Sequence, residues 1–171
     1  MKRIVCLVAL LLAGMVMGGT FAGPATAHDR AAVEKAVLSL INRARASHGL
    51  AAVRIQRSLD DAAIAHSRQM LSGDYFSHSS AGGITYAERL RRAGYTRTGY
   101  GSWAVGEVIG WGKGTAGTAS AIVRAWMRSS GHRAVILDRR WRDVGIGCAD
   151  GTFRGLAGTR MYTVDFGRRT R

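Results

Sequence analysis

The sequence predicts an α+β domain in which the helices precede the strands, which lie near the carboxyl end of the chain. Apolar residues in the first two thirds of the chain recur at helical spacing, whereas those near the carboxyl end alternate with glycine or polar residues. This order favours a mostly antiparallel sheet flanked by helices, and the chain is long enough for one domain with a hydrophobic core.

The first 27 residues are typical of a signal peptide. Lys2 and Arg3 form a basic start, residues 4–17 are apolar, and the small residues at 25–27 offer a cleavage site. The apolar run is shorter than the roughly 20 residues of a membrane span, although an uncleaved anchor is the alternative. We therefore expect residues 28–171 to form a secreted or periplasmic domain without a further membrane span.

The chain is strongly basic, with 25 Lys and Arg against 11 Asp and Glu and a net charge of +14. A basic exported domain is attracted to polyanions, so anionic envelope polymers and lipid headgroups are candidate partners. No aromatic-basic stacking motif singles out nucleic acid. Cys148 is the only cysteine after the predicted signal peptide, so no internal disulfide is expected. Familiar hydrolase and nucleotide-binding signatures are missing.

Three helices are predicted in the first half of the chain. Each carries an apolar stripe at helical spacing, and a glycine follows its end. The second and third begin at Ser58 and Thr85, whose hydroxyl groups can accept free backbone N–H groups. The predicted helices cover residues 31–47, 58–72 and 85–94.

The middle of the chain is rich in glycine and holds a single glutamate. Residues 95–117 are predicted to be irregular, with a partly extended stretch at 103–111 that includes Glu107. A fourth helix, with Thr118 and Ser120 as candidate N-caps, is predicted to stop at Gly131. His132 would then lie at the mouth of a turn, a common place for functional residues.

Two strands complete the prediction. Residues 144–148 alternate apolar side chains with glycine, and residues 161–166 alternate aromatic or aliphatic side chains with polar ones. Residues 149–158 between them are predicted to form a hairpin loop.

Four motifs occur in order along the chain: Phe76-Ser77-His78, Gly106-Glu107, Trp126-Met127-Arg128-Ser129-Ser130-Gly131-His132-Arg133 and Val144-Gly145-Ile146-Gly147. Together they resemble the bacterial branch of the CAP superfamily, named for cysteine-rich secretory proteins, antigen 5 and pathogenesis-related proteins. The resemblance covers about residues 33–168. It implies an α-β-α sandwich, export, and a central cleft that holds two histidines and two acids in many members and binds zinc in some.

The resemblance also names cleft residues in this chain. His78 and Glu107 match the first histidine and the first acid, and His132 and Arg133 belong to the Ser-x-Gly-His-Arg motif of bacterial members. Whether His132 takes the place of the second histidine is left open, because the late strand carries none. The second acid, which follows the tryptophan in eukaryotic members, is missing. Zinc is a candidate cofactor, with His78 and His132 as its ligands.

Each candidate also has a structural interpretation. A histidine on a turn can be a hydrogen-bonded scaffold group, Glu107 can be a buried acid bonded to backbone N–H groups, and Arg133 can belong to the solvated surface. His66 lies among alanines on a helical face and is expected to be packed. Cys148 alternates inward in a strand and is expected to be buried and unreactive.

These observations favour a monomeric binding or interaction module at the bacterial envelope. The alternative is a hydrolase in which a metal-bound or Glu107-activated water attacks a wall polymer or another polymeric substrate. A structural envelope protein without chemistry is a third hypothesis. The sequence does not decide whether the protein is an enzyme.

Cleavage after Ala27 can be tested directly. We expect the exported protein to begin at His28, and the intact mass of the protein recovered outside the cytoplasm measures this. A membrane-bound product that keeps residues 1–27 would contradict the signal-peptide prediction.

Overall fold

The structure, a computed structural model, describes residues 27–171, so the predicted signal peptide lies outside the described residues except for Ala27. Within this range the helices are α1 (Ala27–Ala46), α2 (Arg57–Ser72), α3 (Tyr86–Arg92), α4 (Ala119–Arg128) and α5 (Ser130–Ile136), with a 3-10 turn at Gly114–Gly117. The strands are β1 (Arg54–Ile55), β2 (Ser102–Lys113), β3 (Asp143–Phe153) and β4 (Leu156–Thr170). None of the described helices combines the length and the apolar character that crossing a membrane requires.

The described strands form one sheet in the order β1-β3-β4-β2. The long strands β2, β4 and β3 pair antiparallel, whereas the two-residue β1 pairs parallel with the start of β3. The predicted α+β class with a mostly antiparallel sheet is confirmed, and the sheet is mixed only because of β1. Strand β2 lies at one edge, where its outer side can carry a site.

Helices cover both faces of the sheet, so the domain is an α-β-α sandwich. On one face, α1, α4 and α5 pack against apolar side chains of the strands and form the larger hydrophobic cluster of the described residues. On the other face, α2 and α3 enclose two smaller clusters, built around Leu59 and Met70. Burial of these apolar side chains is the main favourable contribution to folding.

Helix α2 lies directly on strand β3. A Cβ atom at Gly145 would lie 2.0 Å from the carbonyl carbon of Leu59, and one at Gly147 would lie 2.2 Å from that of Ala63. The Ser67 hydroxyl donates a hydrogen bond to the Gly147 carbonyl at 3.1 Å. The two glycines therefore allow the helix to approach the strand closely enough for side chain and backbone to bond.

The segment 95–117 is more regular than predicted: the stretch 103–111, expected to be partly extended, lies within strand β2, which covers residues 102–113. Its glycines make room for aromatic rings. A Cβ atom at Gly106 would lie 2.9 Å from the Trp141 ring, and one at Gly110 would lie 2.9 Å from the Trp126 ring. Glycine here serves packing rather than chain reversal, a distinction that local composition does not make.

The predicted hairpin loop at 149–158 is also much shorter in the structure. Strands β3 and β4 continue to Phe153 and Leu156, and Arg154 and Gly155 alone form the turn. Both have positive φ, at 50° and 75°, as tight hairpin turns require.

Helix α4 does not stop at Gly131, contrary to the prediction. It ends at Arg128, and Ser129 adopts an extended backbone with φ −83° and ψ 121° before α5 begins. His132 therefore lies in the first turn of α5 rather than on a loop.

The helix starts follow the predicted capping rule at two places and depart from it at one. Thr85 and Thr118 each accept a hydrogen bond from the backbone N–H three residues later, at 3.3 Å. Helix α2 is capped by Gln56 instead of Ser58: the Gln56 Oε1 atom accepts from the Leu59 N–H at 3.1 Å and from the Ser58 hydroxyl at 2.9 Å.

Replacing Gly145 by Ala should destabilise the domain, because the new methyl group would meet the backbone of α2. We expect the free energy of unfolding in urea to fall by about 3 kcal/mol, the upper range for overpacking. Gly101→Ala is the matched control, since a Cβ atom there makes only ordinary contacts at 3.7 and 3.8 Å. Equal effects of the two substitutions would show that α2 does not need the close approach.

Candidate functional site

Three sequence-predicted residues meet in one open cavity of about 250 Å³ at the edge of the sheet. His78 comes from the loop after α2, Glu107 from the middle of β2, and His132 from the first turn of α5. The remaining lining residues are Val108, Ser129, Gly131 and Val135. Arg133 is exposed beside this cavity and donates to the Met127 carbonyl at 3.3 Å, so it does not line it.

The Glu107 carboxylate is fully buried, and both of its oxygens are engaged. Its Oε1 atom accepts a hydrogen bond from the Nδ1 atom of His78 at 2.7 Å. Its Oε2 atom accepts a short hydrogen bond from the Nη2 atom of Arg89. The carboxylate is therefore held by side chains, not by backbone N–H groups.

Arg89, which the sequence analysis did not single out, connects the parts of the site. Its side chain is 8% exposed. Besides Glu107, it donates from Nη1 to the His78 carbonyl at 2.7 Å. One guanidinium thus fixes both the strand residue and the loop that carries His78. The only signal in the sequence is its place at the border of the apolar stripe formed by Leu90 and Ala93.

His132 is paired with the serine at the break between α4 and α5. A hydrogen bond of 2.8 Å joins its Nδ1 atom to the Ser129 Oγ atom. Burial, and secondarily the nearby His78, lowers the pKa of His132 below its ordinary value. The imidazole is therefore expected to be neutral at pH 7 and able to donate or accept a hydrogen bond.

His66 supports the site from behind. It is fully buried on α2, as the sequence predicted, and its Nε2 atom bonds to the Ser77 carbonyl at 2.9 Å. Burial, and then the positive charge of Arg89, lowers the pKa of His66. This neutral histidine holds the backbone next to His78 without lining the cavity.

Cys148 is 1% exposed, and burial raises the pKa of its thiol to about 12. A thiol that stays protonated is a poor nucleophile. The predicted buried and unreactive cysteine is consistent with this placement.

A second acid lies next to Glu107, although the sequence analysis found none. Asp165 on β4 is the register partner of Glu107 on β2. It is fully buried, and its pKa is raised well above the usual range by burial and then by the negative charge of Glu107. The sequence signal is an acid inside the run 161–166, whose other residues are apolar or carry a hydroxyl group.

The residues of the cavity do not fit a firmly held zinc ion. Within residues 27–171 no group of three or more His, Cys, Asp or Glu side chains is placed to hold a metal. Both oxygens of Glu107 are committed to Arg89 and His78, which leaves two imidazoles where catalytic zinc sites use three protein ligands. Zinc binding by His78 and His132 stays a prediction.

An apolar groove extends the cavity along the edge of the sheet. This second space, of about 260 Å³, shares Ser129 and His132 with the first. Its walls include Phe76, Trp111 and Trp126. Together the two spaces form the cleft, with a hydrogen-bonding end at His78 and an apolar end at Trp111.

Comparison with known proteins identifies this architecture. The model of the cysteine-rich secretory protein family, CAP, matches residues 38–166. The chain belongs to the CAP family. This match lies within the range of 33–168 predicted from the motifs.

Two curated relatives come from Bacillus subtilis strain 168. The uncharacterized protein YkwD is 33% identical over 116 residues, which cover 68% of this CAP chain and 42% of that protein. The uncharacterized membrane protein YlbC is 30% identical over 114 residues, covering 67% and 31% respectively. The chain thus spans less than half the length of either relative.

Solved structures share the fold. An extracellular protein containing a SCP domain from Bacillus anthracis is 26% identical, with a TM-score of 0.67 over 86% of this chain and 45% of that chain. An outer surface protein from Borrelia burgdorferi is 18% identical, with a TM-score of 0.65 over 80% of this chain and 92% of its own. At that identity the second likeness concerns the fold alone.

Neutral His66 makes the stability of the domain depend on pH. The pKa of His66 is lowered in the fold, so below the ordinary histidine value of about 6.5 the unfolded chain binds more protons than the folded one. We expect the free energy of unfolding to fall as pH drops through this range. The fall should be smaller in His66→Gln, measured by urea titration at a series of pH values. An unchanged slope would show that His66 takes up its proton inside the fold.

Proposed function

We propose that this chain is the CAP module of an exported protein and that its cleft binds a segment of an envelope polymer. The observation that carries this proposal is the full engagement of Glu107 by His78 and Arg89. An acid whose two oxygens each accept a hydrogen bond inside the protein is suited to orient its donors, His78 and Arg89, rather than to hold a water. Export rests on the predicted signal peptide, and the extracellular relative from Bacillus anthracis supports it.

The two ends of the cleft define the kind of segment that would fit. Ser129 and the imidazoles of His78 and His132 can exchange hydrogen bonds with a polar group. The walls of Trp111 and Trp126 suit an apolar group a few ångströms further along. A chain that carries polar and apolar groups side by side, as wall peptides do, matches this pattern.

The surface around the cleft supports an anionic partner. Arg128 and Arg133 are exposed on the two helices that form the cleft wall. Within the described part of the chain neither forms an ion pair with a carboxylate. Their charges, together with the positive net charge of the chain, would attract the polyanion and bring it to the cleft.

Hydrolysis is the second candidate, and one feature favours it. The His78 side chain is 52% exposed, and the buried carboxylate of Glu107 accepts a hydrogen bond from its Nδ1 atom. Carboxylate-oriented imidazoles act as general bases in hydrolases. In that case His78 would take the proton of the attacking water, and Glu107 would orient His78 rather than act on the water itself.

Sedimentation with purified, insoluble cell wall tests separately whether the exposed arginines and the cleft contribute to binding. We expect Arg128→Glu with Arg133→Glu to weaken binding roughly tenfold or more, since each arginine near an anionic surface contributes about 1 kcal/mol. Binding should also weaken with salt, as the screening length falls from about 10 Å at 0.1 M to about 3 Å at 1 M. Arg154→Glu, an exposed change on the β3–β4 turn, is the matched charge control.

His132→Ala should reduce wall binding about fivefold, as expected for the loss of one hydrogen bond worth about 1 kcal/mol, and leave its salt dependence unchanged. Equal binding by His132→Ala and the unaltered protein would show that the cleft takes no part. Release of soluble wall fragments by the unaltered protein, and not by His78→Ala, would replace the binding function with hydrolysis.

A further inference from the structure

Asp165 occupies a position in the fold that gives it access to the site residues. It lies on the central strand β4, opposite Glu107 on one side and Gly145 on the other. Cross-strand partners project from the same face of a sheet, so the two carboxyl groups lie side by side beneath α2. Asp165 reaches the cleft only through Glu107, because it does not line the cavity.

Among the described residues Asp165 has no direct partner for a negative charge, because the nearby cation, Arg89, is bonded to Glu107. The residue is fully buried, and within the described part of the chain neither carboxyl oxygen has a hydrogen-bond partner. An ionised carboxylate without a partner is among the most costly groups to bury. A protonated carboxyl group is far less costly and can donate to an oxygen beside it.

The charged and titratable groups around this position are already committed. Glu107 on β2 carries the negative charge that faces Asp165, and Arg89 on α3 is bonded to Glu107 and to the His78 carbonyl. His66 on α2 bonds to the Ser77 carbonyl and is kept neutral by burial. Among the described residues, the Arg89 guanidinium is therefore bonded to one carboxylate, that of Glu107, and no donor is bonded to the carboxyl group of Asp165.

We propose that Asp165 is a positioning residue behind the cleft, which keeps its proton and offers it to Glu107. Glu107 is then the single anion of the buried cluster. Three groups orient the Glu107 carboxylate. Arg89 and His78 donate hydrogen bonds to its oxygens, and Asp165 lies opposite it on the neighbouring strand. The cleft function of these residues rests on the proposed function, whereas the protonation of Asp165 does not.

The pKa of Asp165 agrees with this assignment. Burial raises it first, and the negative charge of Glu107 raises it further, while Arg89 opposes both. Two interacting acids titrate as a pair, so a change in one must alter the other. If burial alone kept Asp165 protonated, a change at Glu107 would leave the pKa of Asp165 unaltered. If the charge of Glu107 contributes, that change must lower it.

Carboxyl carbon NMR on the full chain tests the inference without any ligand. The signal of Asp165, assigned by its loss in Asp165→Asn, should remain that of a protonated acid at pH 6. In Glu107→Gln its titration midpoint should fall by about one pH unit or more, because the repelling charge is gone and Arg89 remains. Asp60 is the internal control. Its pKa is also raised by burial, but its carboxylate accepts a hydrogen bond from the Ile146 N–H on β3, so its pKa should stay unchanged.

A second measurement asks whether Asp165 positions the site. The imidazole nitrogen signals of His78 should show the Nδ1–H tautomer in the unaltered protein and in Asp165→Asn, whose amide can still donate. Asp165→Leu, which cannot donate, should lose that preference. An ionised Asp165 at pH 6, an equal midpoint in Glu107→Gln, or an unchanged tautomer in Asp165→Leu would each overturn the proposal. Cleft variants that leave wall binding unchanged would instead overturn the proposed function and leave these results standing.

Discussion

The buried guanidinium of Arg89 is the contact on which the site depends. It bonds to Glu107 on the edge strand and to the carbonyl of His78 on the loop after α2. Without it, a buried carboxylate would lack its counter-charge and the loop would lose its anchor to the helix layer. A buried ion pair adds little net stability, because desolvation costs nearly as much as the attraction returns. Its contribution here is geometric, since it sets where the exposed imidazole lies relative to His132.

The same region explains why the sheet carries the site at its edge. Strand β2 pairs on one side only, so its outer side faces the loop and the turn between α4 and α5. Two tryptophan rings pack over glycines on this strand, which brings the α4–α5 layer close. The cleft is the gap left between that layer and the loop of His78. Its polar end belongs to the loop and α5, and its apolar end belongs to the tryptophan side chains.

Much of this architecture could be predicted from local patterns. Amphipathic stripes located α1, α2 and α4, hydroxyl caps located the starts of α3 and α4, and alternation located the centres of β3 and β4. The lengths of the strands could not be predicted. Glycines such as those in β2 are typical of turns, and only the tertiary structure shows that tryptophan rings pack against them. The predicted stop of α4 at Gly131 was also wrong. The helix ends before Ser129, whose backbone is extended, and no glycine marks that position.

The sequence by itself determined the identity of the cleft residues, because short motifs carry His78, Glu107 and His132 in a fixed order. It also determined the basic character of the surface, which needs only a count of charges. Tertiary structure alone decided what these residues do to one another. Arg89 and Asp165 are 18 and 58 positions from Glu107 in the chain, and only strand pairing and helix packing bring their charges together. Charge states follow from burial and distance, and neither is a property of local sequence.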